Sequence, residues 1–416
     1  MNLLFTSLSD ALSAMFSSAW MLFLHGGWIL VLIIGIVILF KLYSDEISHH
    51  YHHGLDGVLL QIKVERLNLQ STLAVEQIFS QMHASHTQIS FAERYFEGKH
   101  QPTISLEMAS IGGKISYFIF APRKLIGLIE SAFYSRYPSA EIVEVEDYMQ
   151  YLRSWDPEGS WDVWGTEMKM IKNHAYPIRT YSDFEHSSAE ERIIDPTAGL
   201  IEALNQAQPH ELLAIQFCLT PISDPEWAPE ALAFSKKLKK EYLSGGVDDG
   251  HGNHGEEEEK KPTGGMTPGE RRIVEAIEEK AAKPGYQVKI RMIHIAPKDK
   301  FDGSRKAAMV GGFRIFGDGN TNGLKPDTSK TWTTHNPVLF KSLEKPYLDF
   351  KTESKKKKFV EAFANRSDHV GIPAMILNIE ELATIYHFPI NPSAMQTNVE
   401  NISVHKGQPP IDLPMV

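Results

Sequence analysis

The stretch TISLEMASIGGKISYFIF, residues 103–120, reads as two strand-like runs, 103–108 and 114–120, on either side of Ile111-Gly112-Gly113. Paired glycines between alternating apolar runs permit positive φ and mark a β-hairpin. Gly112-Gly113-Lys114 also invites a phosphate-cradle reading. A Walker loop, however, needs Gly-x-x-x-x-Gly-Lys-Ser/Thr between a strand and a helix, and these glycines turn from strand to strand.

Working outward, Val58 to Glu65 alternates and is rich in β-formers. Residues 72–85 place Val75, Ile78, Phe79 and Met82 on one helical face, with Ser71 or Thr72 as N-cap. Beyond the hairpin, Pro122 can open a helix with Leu125, Leu128, Ile129 and Phe133 on one side; Pro138 breaks it before a strand at Ala140 to Glu146. The order β-α-β-β-α-β over residues 58–150 predicts a ferredoxin-like unit.

A second such unit is expected over 176–350, after a connector at 151–175 whose Trp155, Trp161 and Trp164 would pin a loop or meet a partner. Its strands are placed at Tyr176 to Tyr181, Leu212 to Leu219, Tyr286 to Ile295 and near Pro337 to Phe340. Its helices follow Asp195-Pro196 and span Ser304 to Phe316. An insertion at 225–284 reads as a helical hairpin. One arm ends in Lys236, Lys237, Lys239 and Lys240, and the other opens on a Thr267–Glu270 capping box. The tip, 244–265, is Gly-rich with Glu256 to Glu259 in a row and is expected to be disordered. A helical region at 351–390 carries Lys355, Lys356, Lys357 and Lys358, and a Pro-containing tail follows at 391–416. The expected class is therefore α+β: one transmembrane helix, then two ferredoxin-like domains, the second bearing the helical-hairpin insertion.

The membrane helix is placed at Ala19 to Tyr43, where no Asp, Glu, Lys or Arg interrupts an apolar run until Lys41. Trp20, Trp28 and Tyr43 suit the two interfaces. Residues 1–18 have amphipathic spacing. Residues 44–57 read as a His-rich spacer. Its His49, His50, His52 and His53 are the candidate metal ligands, although a linker seldom supplies the convergent geometry of a Zn or Ni site. Asp10 precedes the span, whereas Lys41, Lys63 and Arg66 follow it. The basic bias thus predicts a single-pass inner-membrane protein with a cytoplasmic body. The lone Cys218 agrees with a reducing compartment. A formal net charge of −10 speaks against a generally basic, nucleic-acid-coating body, while the lysine runs keep local contact with DNA or anionic lipid open.

Two further segments, YPIRTYSDFE at 176–185 and ILNIEELATIYHFP at 376–389, resemble the membrane-anchored N-terminal region of type IV secretion-like conjugative DNA-transfer ATPases. The resemblance implies a membrane-tethered ferredoxin-like platform. It makes Tyr176, Arg179, Tyr181, Glu380, Glu381, Tyr386 and His387 interface candidates alongside the three tryptophans. In the relatives a RecA-like ATPase with a Walker loop follows; this sequence contains no Walker pattern, so the resemblance carries ATP hydrolysis onto no residue here. No His-Glu-x-x-His or Cys-x-x-Cys is present either, and no catalytic residue or cofactor is assigned. The expected role is a non-enzymatic assembly module organising a separately encoded translocation ATPase or pilus components, with membrane lipid and a second copy of the chain as further partners. The alternatives are a tethered ligand or metal sensor and a DNA-contacting accessory.

Overall fold

The computed structural model describes residues 17, 20–21, 23–65, 70–150, 155–156, 158–186, 195–244, 265–334, 341–389 and 399–400. They divide into one unit of residues 1–56 with 88–100 and another of residues 57–87 with 101–416.

In the first unit a π-helical turn, Phe23–Gly27, leads into helix α1, Trp28–His53. The window Phe23–Ser48 has a mean hydropathy of 2.6 and is long and apolar enough to cross a membrane. Its Leu30, Ile34 and Leu39 side chains are exposed on all sides of the helix, as expected of a lipid-facing segment. The apolar run was expected, but its continuation is a correction: the 44–57 stretch is helical through His53. Nothing between Lys41 and His53 is Gly or Pro, so no residue breaks the helix before Gly54. A short helix that sequence patterning did not single out, α3 (Phe91–Phe96), belongs to this same unit.

The second unit is built on one antiparallel sheet. Its first half runs β1 (Gly57–Lys63), α2 (Thr72–Met82), β2 (Ile104–Ile111), β3 (Lys114–Pro122), α4 (Ile126–Tyr134) and β4 (Glu141–Val145). Gly112 and Gly113 take φ of 60° and 84° at the β2–β3 turn, which is why that turn carries glycines. The second half runs β5 (Trp161–Met170), α5 (Tyr181–His186), α6 (Ala198–Asn205), β6 (Leu212–Ile222), α7 (Asp224–Leu243), α8 (Pro268–Ala281), β7 (Gly285–Pro297), α9 (Ser304–Gly312) and β8 (Leu324–Pro326). Helix α10 (Lys341–Ala364), strand β9 (Met375–Asn378) and helix α11 (Ile379–Ile385) follow.

Strand order is β4-β1-β3-β2-β6-β7-β5-β8, with β9 on the first residues of β7. The two halves are not separate sheets. Strand β2 pairs with β6 from Ile104↔Leu219 to Ile111↔Leu212, so each half covers what would otherwise be an open apolar edge of the other.

Two strand placements need correction. The second half begins at Trp161–Met170 rather than at Tyr176 to Tyr181, where the chain has no strand and then turns into α5. A strand buried on both faces loses the polar-apolar alternation that marks strands in sequence, and the charged Glu167 within β5 disguised it further. Among described residues the last strand of that half is β8; Pro337 to Phe340 and most of the 244–265 tip lie outside them. The hairpin insertion stands as expected, with α7 packed on α8 and the Thr267–Glu270 capping box formed.

Side-chain alternation gives the sheet two unlike faces. One presents Leu106, Met108, Ile119, Ile215, Phe217 and Met292 to apolar residues of α2, α4, α6, α9 and α11. The other is apolar only in part, with Ala109, Phe118, Val163, Ala214 and Ile293 meeting Phe359, Val360 and Phe363 of α10.

Candidate functional site

Across the α10 face, between those apolar contacts, lies a row of charged and amide side chains. Register places Glu167 opposite Arg291, Arg291 opposite Gln216, and Gln216 opposite Glu107, on strands β5, β7, β6 and β2. All four are buried. Arg291 Nε donates to Glu167 Oε1 at 2.9 Å, and Gln216 Nε2 donates to Glu107 Oε1 at 3.0 Å. Arg366 Nε, from the chain just beyond α10, also reaches Glu107 Oε1 at 2.9 Å, while its Nη2 reaches Asp147 Oδ1 at 2.9 Å. The Tyr148 hydroxyl donates to Glu107 Oε2 at 2.6 Å.

This row serves the end of a helix. The last carbonyls of any helix lack intrahelical partners. Here Gln216 Nε2 donates to Phe363 O at 3.0 Å, Arg291 Nη1 to Ala362 O at 3.4 Å and Arg366 Nη1 to Ala364 O at 2.9 Å. Arg291 Nη2 and Lys289 Nζ both donate to Val370 O, at 2.9 and 2.6 Å, and the Ile372 amide returns a hydrogen bond to Glu167 Oε2. The backbone closes the helix in a Schellman motif: Ser367 N donates to Ala362 O and Arg366 N to Phe363 O. Arg366 occupies the left-handed position, φ 50°, where glycine is usual. Phe359 of α10 sits directly over Gly165 of β5, where a Cβ would come within 2.1 Å of its ring.

Cationic side chains at a helix C-terminus also meet its negative dipole end, which favours them further. Cys218 lies in the same face, its Sγ 3.4 Å from Gln216 Oε1. Burial pushes its thiol up to about 11.

The two sequence segments singled out for family resemblance meet in space on the opposite side. Ile178 N donates to Glu381 Oε1 at 2.8 Å, and Tyr181 N to Thr384 Oγ1 at 2.9 Å. Ser182 Oγ donates to Glu380 Oε1, and the Tyr181 hydroxyl to Glu76 Oε2. Lys280 of α8 reaches into this contact. Its Nζ lies 2.7 Å from His174 O, 3.0 Å from Ile376 O and 2.9 Å from Glu381 Oε2. Burial pushes Lys280 down and Glu381 up, each opposed by the charge of the other. Lys283 pairs with both Glu76 and Glu380 at 2.8 Å. Nearby, His387 places Nδ1 2.9 Å from Ala383 O and Nε2 3.0 Å from Asp195 Oδ1. Burial raises the Asp195 carboxyl, but His387 and hydrogen bonds from Thr197 outweigh that and hold it at about 2. Tyr386 is buried among Phe79, Tyr117, Phe217 and Phe388, and Arg179 stacks on Phe184 at 4.1 Å. Tyr176 makes an edge contact with Phe234 of α7.

The remaining sequence candidates scatter. Trp155 is buried under the α10 face and donates to Trp161 O, Trp164 is buried on the other face against Trp332, and Trp161 is half exposed, so the three form no common patch. His49, His50, His52 and His53 lie on the α1 backbone with side chains outside the described residues. Among described residues no group of three or more His, Cys, Asp or Glu is arranged to hold a metal ion. Lys236, Lys237, Lys239 and Lys240 are exposed on α7, as are Lys357 and Lys358 on α10. Lys355 instead donates to Ser329 O, and Lys356 pairs with Asp162.

Sequence reasoning missed Glu107, Gln216, Arg291, Arg366 and Lys280. Their one local signal is a charged or amide residue inside an otherwise apolar strand, as in VKIRMIHI at 288–295, and an alternating pattern of that kind reads as a solvent face. Chemically, both clusters pair acids with bases and fasten distant segments together.

Comparison with known proteins adds one match: the model of a family described as a domain of unknown function, DUF8128, covers residues 56–401. No curated protein matches the chain.

Proposed function

The chain belongs to the DUF8128 family, and on the evidence of its fold we propose that it is a non-enzymatic, membrane-tethered assembly module. It organises a separately encoded translocation ATPase or pilus components of a type IV secretion-like or conjugation system. In this reading α1 anchors it in the inner membrane in a single pass, the body lies in the cytoplasm, and the two halves of the sheet are ferredoxin-like units fused edge to edge. Each half has the neighbour order fourth-first-third-second, which supports that last point.

The observation that carries the reading is α10. Its C-terminal turns, from Phe359 to Ala364, are bolted to the sheet by apolar packing and by the charged row, whereas Tyr347 and Phe350, on earlier turns, are 66% and 72% exposed. Large aromatics held out on a rigidly rooted helix suit capture by a protein partner, since Tyr and Phe are enriched at interface cores. The acids and bases named above are engaged with one another, which supports a fastening role for them.

Co-purification from detergent tests the proposal. The wild-type chain should retain a translocation ATPase and alter its turnover, and Tyr347→Ser with Phe350→Ser should release it without lowering the melting temperature. No association and no change in turnover would sink the reading. Protease treatment of inverted vesicles should digest the body after α1; protection would overturn the cytoplasmic orientation.

The exposed Lys236, Lys237, Lys239 and Lys240 favour a second reading, contact with DNA phosphates. It predicts binding that weakens steeply with salt and is lost on charge reversal. Flat titrations at low salt would remove it.

A further inference from the structure

Helix α3 interrupts the connection between α2 and β2, and with its flanks at 88–100 it belongs to the α1 unit. It is only one and a half turns long, yet it is well started: Ser90 and Glu93 form a complete capping box. At about 100° per residue, Phe91, Tyr95, Ala92 and Phe96 fill one sector roughly 140° wide, and Glu93, Glu97 and Arg94 fill the opposite side. Phe91 is 70% and Phe96 69% exposed, a large apolar surface for so short a helix. Its polar side is tied by an ion pair between Glu93 and Lys99.

The neighbour of this helix indicates what covers that surface. The Tyr95 ring lies 5.4 Å from that of Phe40 and 4.5 Å from that of Phe91, so the aromatic sector continues onto α1. Gly98 packs against Ile47 so closely that a Cβ would meet its backbone at 2.5 Å. Phe40 is the last apolar residue before Lys41, the first charge after the long run. The short helix is therefore held beside the stretch of α1 that passes from apolar to polar, the depth at which aromatic residues favour a bilayer.

We propose that residues 88–100 are an interfacial membrane finger: α3 lays Phe91 and Phe96 into the boundary between headgroups and acyl chains, beside the end of the spanning helix. The inference rests on α1 crossing the membrane. It gives the protein a second lipid contact, next to the span in space although some fifty residues later in sequence, and one that limits rotation of α1 about its own axis. An amphipathic helix lying in the interface buries its apolar face about 5–10 Å into that boundary, a reach that aromatic side chains provide.

The test is nitroxide labelling of the full-length chain in phosphatidylcholine–phosphatidylglycerol liposomes. Phe91→Cys, Phe96→Cys, Glu97→Cys and Ile36→Cys are each labelled, with Cys218 replaced by Ala, and collisions with oxygen and with a water-soluble nickel chelate are compared. The ratio of oxygen to nickel collisions should rise at positions 91 and 96 toward that at 36, and stay at the aqueous value at 97. Aqueous values at 91 and 96 with a lipid value at 36 overturn the finger and leave the anchor standing. An aqueous value at 36 overturns the anchor and the finger with it. Phe91→Ser with Phe96→Ser, in a chain labelled at position 95 through Tyr95→Cys, provides a second check: the 95 label should shift toward water, and an unchanged ratio counts against the proposal.

Discussion

Arg366 and Glu107, separated by 259 positions, meet with Nε and Oε1 2.9 Å apart, and the arginine that makes this contact stands in the left-handed backbone region at φ 50°. The side chain and the backbone of Arg366 thus pull in opposite energetic directions. A non-glycine residue in that region costs on the order of 1 kcal/mol, whereas its guanidinium pairs with Glu107 and Asp147, covers Phe120 at 4.4 Å and satisfies Ala364 O.

Removing this guanidinium should destabilise the sheet unit strongly. Arg366→Ala strands the buried Glu107, for which a loss of about 3–5 kcal/mol is expected. Arg366→Gly loses the same contacts but relieves the backbone, so it should be the milder of the two by about 1 kcal/mol. Urea unfolding of the detergent-solubilised variants measures the difference; equal losses would show that the backbone conformation carries no cost.

Lys280 and Glu381 offer a double-variant test of the other cluster. Lys280→Met alone leaves a buried carboxylate without its cation and should cost about 3–5 kcal/mol. Combining it with Glu381→Leu removes both charges, and the pair should cost less than the sum of the singles. Additive losses in thermal melts would show that the two groups do not depend on each other.

Acid titration should expose the Asp195–His387 contact. Because the Asp195 carboxyl is held at about 2 in the folded chain, below its ordinary value near 3.9, its contribution to stability is complete above that ordinary value. It is lost as pH falls toward about 2. The stability gap between wild type and Asp195→Asn should therefore hold steady near pH 5 and narrow between about pH 4 and 2. A gap that keeps its size down to pH 2 would contradict this.

Cys218 should resist thiol reagents in the folded chain. It is buried, and burial pushes its thiol to about 11, so little reactive thiolate forms at pH 8. Reaction with an aromatic disulfide reagent should be slow until guanidinium unfolds the body and then complete at one thiol per chain. Rapid reaction without denaturant would place Cys218 at the surface.

Much of the element order was legible before any tertiary information. Periodicity located the β2–β3 hairpin through Gly112 and Gly113, the α2 and α4 faces, the α7–α8 insertion with its capping box, and the apolar run of α1. These features depend on spacing within a few residues, which a linear chain displays directly. Segments 176–185 and 376–389 were singled out only for a family resemblance, and their contact through Glu381 and Thr384 could not be read from either alone.

What the sequence by itself determined is the composition of the parts: an apolar helix, α and β segments in a repeated order, and turns where glycine and proline require them. The tertiary structure alone decided that the halves share one sheet through β2 and β6, and that Trp161–Met170 is one of its strands. It also joined Glu107, Gln216, Arg291 and Arg366, polar side chains scattered through the sequence, into a buried clamp on α10. The physical reason is the same in each case. Strand register and ion pairing are set by partners on remote segments, and a charge in a strand looks solvent-facing until the residue that neutralises it is brought alongside.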